Sequence, residues 1–182
     1  MVRLRPPQQS FSMPRGQVLL LAAKPWFIRA TLLLALLLDF MPLGRLAWWP
    51  DPLAIVLAFW SVHQPRRVAL GAGFLLGLLL DVQSHGLLGQ HALAYTVLTY
   101  GAIAMQRRLL WFSLRQQALH VLPLFIVLTL LEFGVRMAAG TTPPGWSLAL
   151  APALQAALWP LLSALLLLPQ RRAPDADANR PL

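Results

Sequence analysis

Six long apolar runs separated by short breaks occupy most of this 182-residue chain. Charged residues make up only 12% of it, whereas soluble domains carry about 25%. So little charge cannot cover a water-facing globule, but a bilayer requires an apolar outer surface on helices that satisfy their own backbone groups. The sequence therefore predicts an all-α, polytopic membrane bundle of about six transmembrane helices, and it excludes a soluble enzyme.

The breaks between the runs are marked by proline and glycine residues. The six runs cover residues 26–41, 46–63, 68–82, 87–105, 118–138 and 148–168. The second run is the weakest prediction because its uninterrupted core, residues 53–60, is short for a span, and a re-entrant segment is the alternative. The predicted organisation is a basic cytoplasmic tail (1–25), a six-helix transmembrane domain (26–168) and a second cytoplasmic tail (169–182).

The distribution of basic residues predicts the orientation. If all six runs cross the membrane and the N-terminus lies inside, every Lys and Arg except Arg45 and Arg136 lies on the cytoplasmic side. If the second run does not cross, the basic groups at positions 66–67 and 107–115 move outside. Because cytoplasmic loops favour Lys and Arg, we expect six crossings with both termini in the cytoplasm.

Four carboxylates fall on the opposite, outer side: Asp39, Asp51, Asp81 and Glu132. Ionisable groups near spans are costly and suggest function. Asp39 and Asp81 end two apolar helices, where they either form an ion or proton site or bond loop amides; we favour the structural role for both. Glu132 and Arg136 share a helix face, and they form either a polar patch for a partner or translocation path, or an intrahelical ion pair near the outer interface.

Patterns typical of catalysis or metal binding are missing from the sequence. The chain has no cysteine, which excludes disulfides and thiolate metal sites. The four histidines match no zinc pattern and divide between the two predicted membrane faces. No glycine-rich phosphate loop precedes a lysine, and the basic residues form no single patch for nucleic acid. We predict no catalytic residue, no metal site and no cofactor, and therefore no enzyme.

Glycines are concentrated around the third run. Gly73 and Gly77 form a small-xxx-small face that lets helix backbones approach closely in lipid, either within the chain or with a partner. Gly86 and Gly89 permit a tight loop after this helix. We expect that Gly77→Leu or Gly89→Leu weakens partner association through lost close packing.

The stretch from Pro65 to Tyr100 carries a more specific pattern. It reads Pro65-Arg-Arg-Val, Gly73-Phe, Gly77-Leu-Leu-Leu-Asp81-Val and Gly86-Leu-Leu-Gly89-Gln-His-Ala-Leu-Ala-Tyr95. It resembles the rod shape-determining protein MreD family, whose pattern has Pro before the third helix, Gly-Leu and then Asp at its end, and a Gly-x-x-Gly loop. Together with the charged pair of the fifth run, the predicted partner-binding or packing residues are Pro65, Gly73, Gly77, Asp81, Gly86, Gly89, Glu132 and Arg136.

The resemblance implies a function that composition alone does not. It implies a multi-pass protein of the bacterial inner membrane that serves as a non-enzymatic scaffold of the elongasome, needed for rod shape and lateral peptidoglycan synthesis. The implied partners are MreC, on the periplasmic side and in the membrane, then MreB, RodA and penicillin-binding protein 2, directly or indirectly. Membrane lipid is a further expected partner because basic inner loops meet anionic lipid.

Two other functions stay open at this point. The family is also similar, at the level of fold, to the substrate-binding subunits of energy-coupling-factor transporters, and a small-molecule-binding transporter subunit would hold its ligand near Asp39, Asp81 and Glu132. An intramembrane enzyme would need two polar groups within hydrogen-bond reach of each other.

Overall fold

The computed structural model describes residues 23–41, 49–84, 87–140 and 145–170. These residues form six α-helices and no β-strand, which confirms the all-α prediction and the number of helices. Short 3-10 turns precede and follow the last helix. The helices are α1 (Pro25–Phe40), α2 (Pro52–His63), α3 (Leu70–Ser84), α4 (Gln90–Leu109), α5 (Leu114–Ala138) and α6 (Leu150–Leu167).

Helix α2 lies at the centre of the bundle. It contacts α1, α4 and α6, and every residue from Leu53 to Val62 is buried. Its 12 residues extend about 18 Å, which is less than the roughly 30 Å of bilayer hydrocarbon. Because α1, α4 and α6 surround it, every side of α2 can be apolar although the helix is too short to span the hydrocarbon by itself.

Helices α1 to α5 alternate in direction. The end of α1 meets the start of α2 through Asp39, whose Oδ2 accepts from the Leu53 N–H at 3.1 Å. Nearer the other end of the same pair, the Trp60 indole donates to Thr31 Oγ1 at 2.9 Å. The α3–α4 interface is the most extensive in the bundle, followed by α5–α6 and α4–α5. Antiparallel order places alternate helix ends at the same end of the molecule.

Aromatic side chains fill the middle of the core. Trp60, Trp159, Phe59 and Phe125 are fully buried, and Trp159 packs edge-on or tilted against both phenylalanines. The Trp159 indole N–H donates to Gln117 Oε1 at 3.2 Å. Buried tryptophans need such a partner for the N–H, so these bonds fix how α2, α5 and α6 pack together.

The outer surface is apolar. Helix α1 exposes Leu33, Leu34, Leu37 and Leu38, which a water-facing helix would not present side by side. Two segments, Leu114–Ala138 and Leu150–Gln170, are long and apolar enough to cross a membrane. Helices α2 and α3 are apolar but shorter. The fold is therefore that of a helical bundle with an outer surface suited to lipid.

Candidate functional site at the polar end of the bundle

Apart from Arg136 in the last turn of α5, the charged residues that the structure describes separate to opposite ends of the bundle. One end, here called the polar end, contains the last turns of α1, α3 and α5 and the first turns of α2 and α4. All carboxylates of the described residues lie there, and the remaining two, Asp175 and Asp177, lie outside those residues. The opposite end, here called the basic end, carries Lys24, Arg29, Arg66, Arg67, Arg107, Arg108 and Arg115.

Asp81 joins the end of α3 to the start of α4. Its side chain is 1% exposed. Its two carboxylate oxygens accept from the backbone N–H groups of Gly89 (2.9 Å), His91 (2.9 Å) and Ala92 (3.2 Å), and His91 Nδ1 lies 2.7 Å from Oδ1. The first N–H groups of a helix have no intrahelical partner, and a negative charge there is stabilised by the helix dipole. Asp81 thus holds the α3–α4 loop, which is the structural role favoured for it.

Asp39 and Asp51 connect the end of α1 and the start of α2 to Tyr95 of α4. Asp51 Oδ1 accepts from the Ala54 N–H at 2.8 Å and so caps α2, as expected for Asp immediately before a first-turn proline. The Tyr95 hydroxyl of α4 donates to Asp51 Oδ2. The Asp39 carboxyl bonds Leu53 and faces that of Asp51. The Asp39 side chain therefore bonds an amide in the first turn of α2 and not the loop amide that was expected. The group connects α1, α2 and α4.

The charged pair of α5 faces the same region. With the Gln90 amide oriented so that its oxygen faces α5, that oxygen lies 3.0 Å from Arg136 Nε and 3.2 Å from Nη2. Glu132 interacts electrostatically with His91 and Asp51 as well as with Arg136. Glu132 and Arg136, both half-buried, therefore lie on the side of α5 that faces α4.

Gly73 and Gly77 lie where α3 packs against α4. A Cβ at Gly77 would be 2.5 Å from His91 O and 2.6 Å from Ala92 Cα, and one at Gly73 would be 2.8 Å from Tyr95 O. Both contacts involve backbone atoms, so neither glycine can gain a side chain unless the helices separate. The small-xxx-small face is therefore used within the chain.

Gly89 lies in the tight loop predicted for it. It is the N-cap of α4 with a φ of 94°, and no atom lies within 4 Å of the position that a Cβ would occupy. Within the chain, the left-handed backbone conformation is therefore the reason for glycine here, and the expected effect of Gly89→Leu on partner association stays a prediction. Pro65 lies in the turn between α2 and α3, and Gly86 lies outside the described residues.

With this arrangement established, comparison with known proteins identifies the family. The chain matches the family model of rod shape-determining protein MreD over residues 22–168. This chain belongs to the MreD family. The rod shape-determining protein MreD of Haemophilus influenzae (strain ATCC 51907 / DSM 11121 / KW20 / Rd) is 32% identical to it over 142 residues, which cover 74% of this chain and 85% of that protein. No solved structure matches the chain, so the similarity of this MreD-family fold to transporter subunits stays a prediction.

The polar end of this MreD-family member contains two pairs of polar side chains within hydrogen-bond reach of each other, as the hypothesis of an intramembrane enzyme required. Tyr95 bonds Asp51, and His91 bonds Asp81. In both pairs, however, the carboxylate also accepts backbone N–H groups at a helix start, so the geometry explains helix positioning without any reaction. Among the described residues, no group of three His, Asp or Glu side chains is arranged to hold a metal ion.

Sequence analysis alone did not group Asp51, Gln90, His91 and Tyr95 with the predicted residues. One local signal was present, since Asp51 before Pro52 is typical of a helix N-terminus. His91 and Tyr95 are four residues apart and therefore share one face of α4. Their partners on α2 and α3 depend on which helices are neighbours, and no local pattern encodes that.

Proposed function

We propose that this chain is a non-enzymatic membrane scaffold of the elongasome, needed for rod shape and lateral peptidoglycan synthesis. The family match carries the proposal, because it covers residues 22–168 and hence the whole six-helix bundle. Family membership places the chain in cell-shape determination. The scaffold role is supported by the polar end, where charged groups hold helices together.

We propose further that all six helices cross the bacterial inner membrane with both termini in the cytoplasm. The antiparallel order supports this topology, because it groups the basic loops at one end and the described carboxylates at the other. Cytoplasmic loops favour Lys and Arg, so the basic end would face the cytoplasm. The short helix α2 would cross while shielded from lipid by α1, α4 and α6.

The polar end would then face the periplasm and meet MreC. The α3–α4 loop supports a partner interface at this end of the bundle. Asp81 accepts hydrogen bonds from three backbone N–H groups where the loop enters α4 and so fixes the position of the loop. Within that loop, Leu88 is 73% exposed. A positioned apolar side chain beside polar groups is typical of protein interfaces. Through MreC, directly or indirectly, the chain would connect to MreB, RodA and penicillin-binding protein 2.

Affinity purification after mild crosslinking in cells tests this proposal, with partners identified by mass spectrometry. We expect recovery of MreC and the wall-elongation enzymes. The variant Leu88→Ser should lower the MreC yield at equal abundance of the bait. Leu110→Ser is the matched control, because Leu110 is also an exposed loop leucine but lies at the basic end. An equal MreC yield for both variants would remove the polar-end loop from the proposed interface.

A second function is favoured by one observation, the convergence of Asp39, Asp51 and Glu132 at the polar end. A small-molecule-binding subunit of a transporter would also need polar groups converging in this way. The same purification separates the two functions. Recovery of an ATPase module with a membrane coupling subunit, without wall enzymes, would replace the scaffold proposal by the transporter one.

A further inference from the structure

A groove runs between α1 and α3 on the outside of the bundle. It has a volume of about 810 Å³, within the range of roughly 300–1,000 Å³ typical of ligand sites. Its walls are apolar along most of their length, and α1 contacts α3 much less extensively than α4 does. The apolar lining includes Ile28, Leu32 and Leu36 of α1 and Ala72, Leu76 and Leu79 of α3.

The groove has the length of one membrane leaflet. Its lining on α1 extends from Pro25 to Leu36, which corresponds to about 17 Å at the helical rise of 1.5 Å per residue. The hydrocarbon core of a bilayer is roughly 30 Å thick, so one leaflet accounts for about half of that. A groove of this length suits acyl chains that begin at one membrane surface and end near the midplane.

Two arginines line the groove, and both lie towards the basic end. Arg29 belongs to the second turn of α1 and is exposed; its Nε donates to the Pro25 carbonyl at 3.4 Å. The guanidinium of Arg67 is positioned by a bond of 2.6 Å from Nη1 to the Ala23 carbonyl. The described carboxylates all lie at the polar end, so this end of the groove combines positive charge with an apolar channel.

We propose that the groove binds one anionic glycerophospholipid of the cytoplasmic leaflet. Its acyl chains would lie between α1 and α3, and its phosphate would contact Arg29 and Arg67. Arginine suits this contact because its planar donors match phosphate oxygens. A zwitterionic lipid offers the same chains without net negative charge, so the arginines give the groove its preference. The inference requires membrane insertion of the chain but is independent of its wall-synthesis partners.

Native mass spectrometry of the full-length protein in detergent tests this site. Phosphatidylglycerol and phosphatidylethanolamine with identical acyl chains serve as probes. We expect stronger retention of phosphatidylglycerol, and we expect Arg29→Gln to weaken it about fivefold, the effect of one basic residue near an anionic lipid surface. Arg108→Gln is the control, because Arg108 is exposed at the basic end but does not line the groove. Equal retention of the two lipids, or an equal effect of both variants, would overturn the proposal.

A second measurement tests the occupant in cells. A photo-crosslinking residue at Leu75, which lines the groove and is exposed, should give lipid adducts. Ala72→Phe, which places a bulky ring in the groove, should reduce those adducts. Crosslinks from Leu75 to a protein helix instead of lipid would show that the groove is a protein interface and would refute the lipid site. Neither result depends on whether wall-synthesis enzymes co-purify.

Discussion

Substitution of Gly77 by alanine adds one methyl group at the closest contact between α3 and α4. The new Cβ would lie 2.5 Å from His91 O and 2.6 Å from both Ala92 N and Cα. Carbon atoms in contact prefer separations of about 3.5–4.0 Å. All three neighbours are backbone atoms, so no side chain can rotate away. The two helices must therefore separate by about 1 Å at this point.

The cost of this movement has two parts. Overpacking of a tight interface costs about 1–3 kcal/mol. Moving α4 also stretches its bonds to Asp81, which now measure 2.9 Å for the Gly89 and His91 N–H groups. An increase of about 1 Å exceeds the limit for a hydrogen bond, and each bond to a charged group contributes about 1.5–3 kcal/mol. If α4 tilts so that one of these two bonds is lost and the other is kept, we expect Gly77→Ala to lower the free energy of unfolding by roughly 3–5 kcal/mol.

Thermal unfolding of the detergent-purified protein, followed by tryptophan fluorescence, measures this effect. For a chain of this size, about 2–4 °C of Tm corresponds to 1 kcal/mol, so Gly77→Ala should lower Tm by about 6–20 °C. The control is Gly71→Ala on the same helix, where no atom lies within 4 Å of a new Cβ. Its Tm should stay unchanged or rise by up to about 4 °C through better helix propensity. Equal Tm values for the two variants would refute the close-packing argument.

Three further substitutions test other contacts. Asp81→Ala should lower the free energy of unfolding by about 3–5 kcal/mol because buried N–H groups at the start of α4 lose their charged acceptor. Asp81→Asn should lower it by less. Unchanged amide hydrogen exchange in the first turn of α4 would contradict the role assigned to Asp81. Gly89→Ala should lower stability by about 1–2 kcal/mol through its φ of 94°, and Gly89→Asn by less, so equal losses would argue against backbone strain. Trp159→Phe should lower the free energy of unfolding by about 1–3 kcal/mol because Gln117 Oε1 is left without its donor. Trp26→Phe is the control, since Trp26 is exposed and its replacement should have little effect on the unfolding midpoint.

The helices themselves were predictable because each must bury or shield a long apolar run. Five of the six predicted starts lie within four residues of the observed ones. The exception is the second run, predicted from residue 46 and observed from Pro52. Asp51 caps that helix, and residues 46–48 of the predicted run lie outside the described residues.

The central position of α2 was not predictable from its composition. In a water-soluble protein, an exposed face would be polar and would distinguish a surface helix from a core helix. In a bilayer both the lipid-facing and the core-facing sides are apolar, so this signal is lost. The run at 53–60 and the exposed leucines of α1 look alike in sequence, although the first is buried and the second is not.

The candidate site was predictable only in part for a related reason. Gly73, Gly77 and Asp81 carry local signals, namely spacing along one helix face and a carboxylate at a helix end. The partners Gln90 and Tyr95 lie within a neighbouring helix, and their contacts depend on how α4 packs against α2, α3 and α5. Gly89 was correctly identified as a loop glycine, but only its φ shows why glycine is needed there.

The two ends of the bundle use their charges in different ways, and this difference connects the fold to the proposed functions. At the polar end, Asp39 and Asp81 accept backbone N–H groups at the starts of other helices. Asp51 caps its own helix and accepts the Tyr95 hydroxyl of α4, so the charges of all three set how the helices pack. At the basic end, Arg66 and Arg29 are exposed, and their charges are available to anionic groups. Among the described residues the carboxylates hold helices together at one end only. That end would therefore offer the proposed protein partner a positioned surface, whereas the exposed arginines at the other end would attract the proposed anionic lipid.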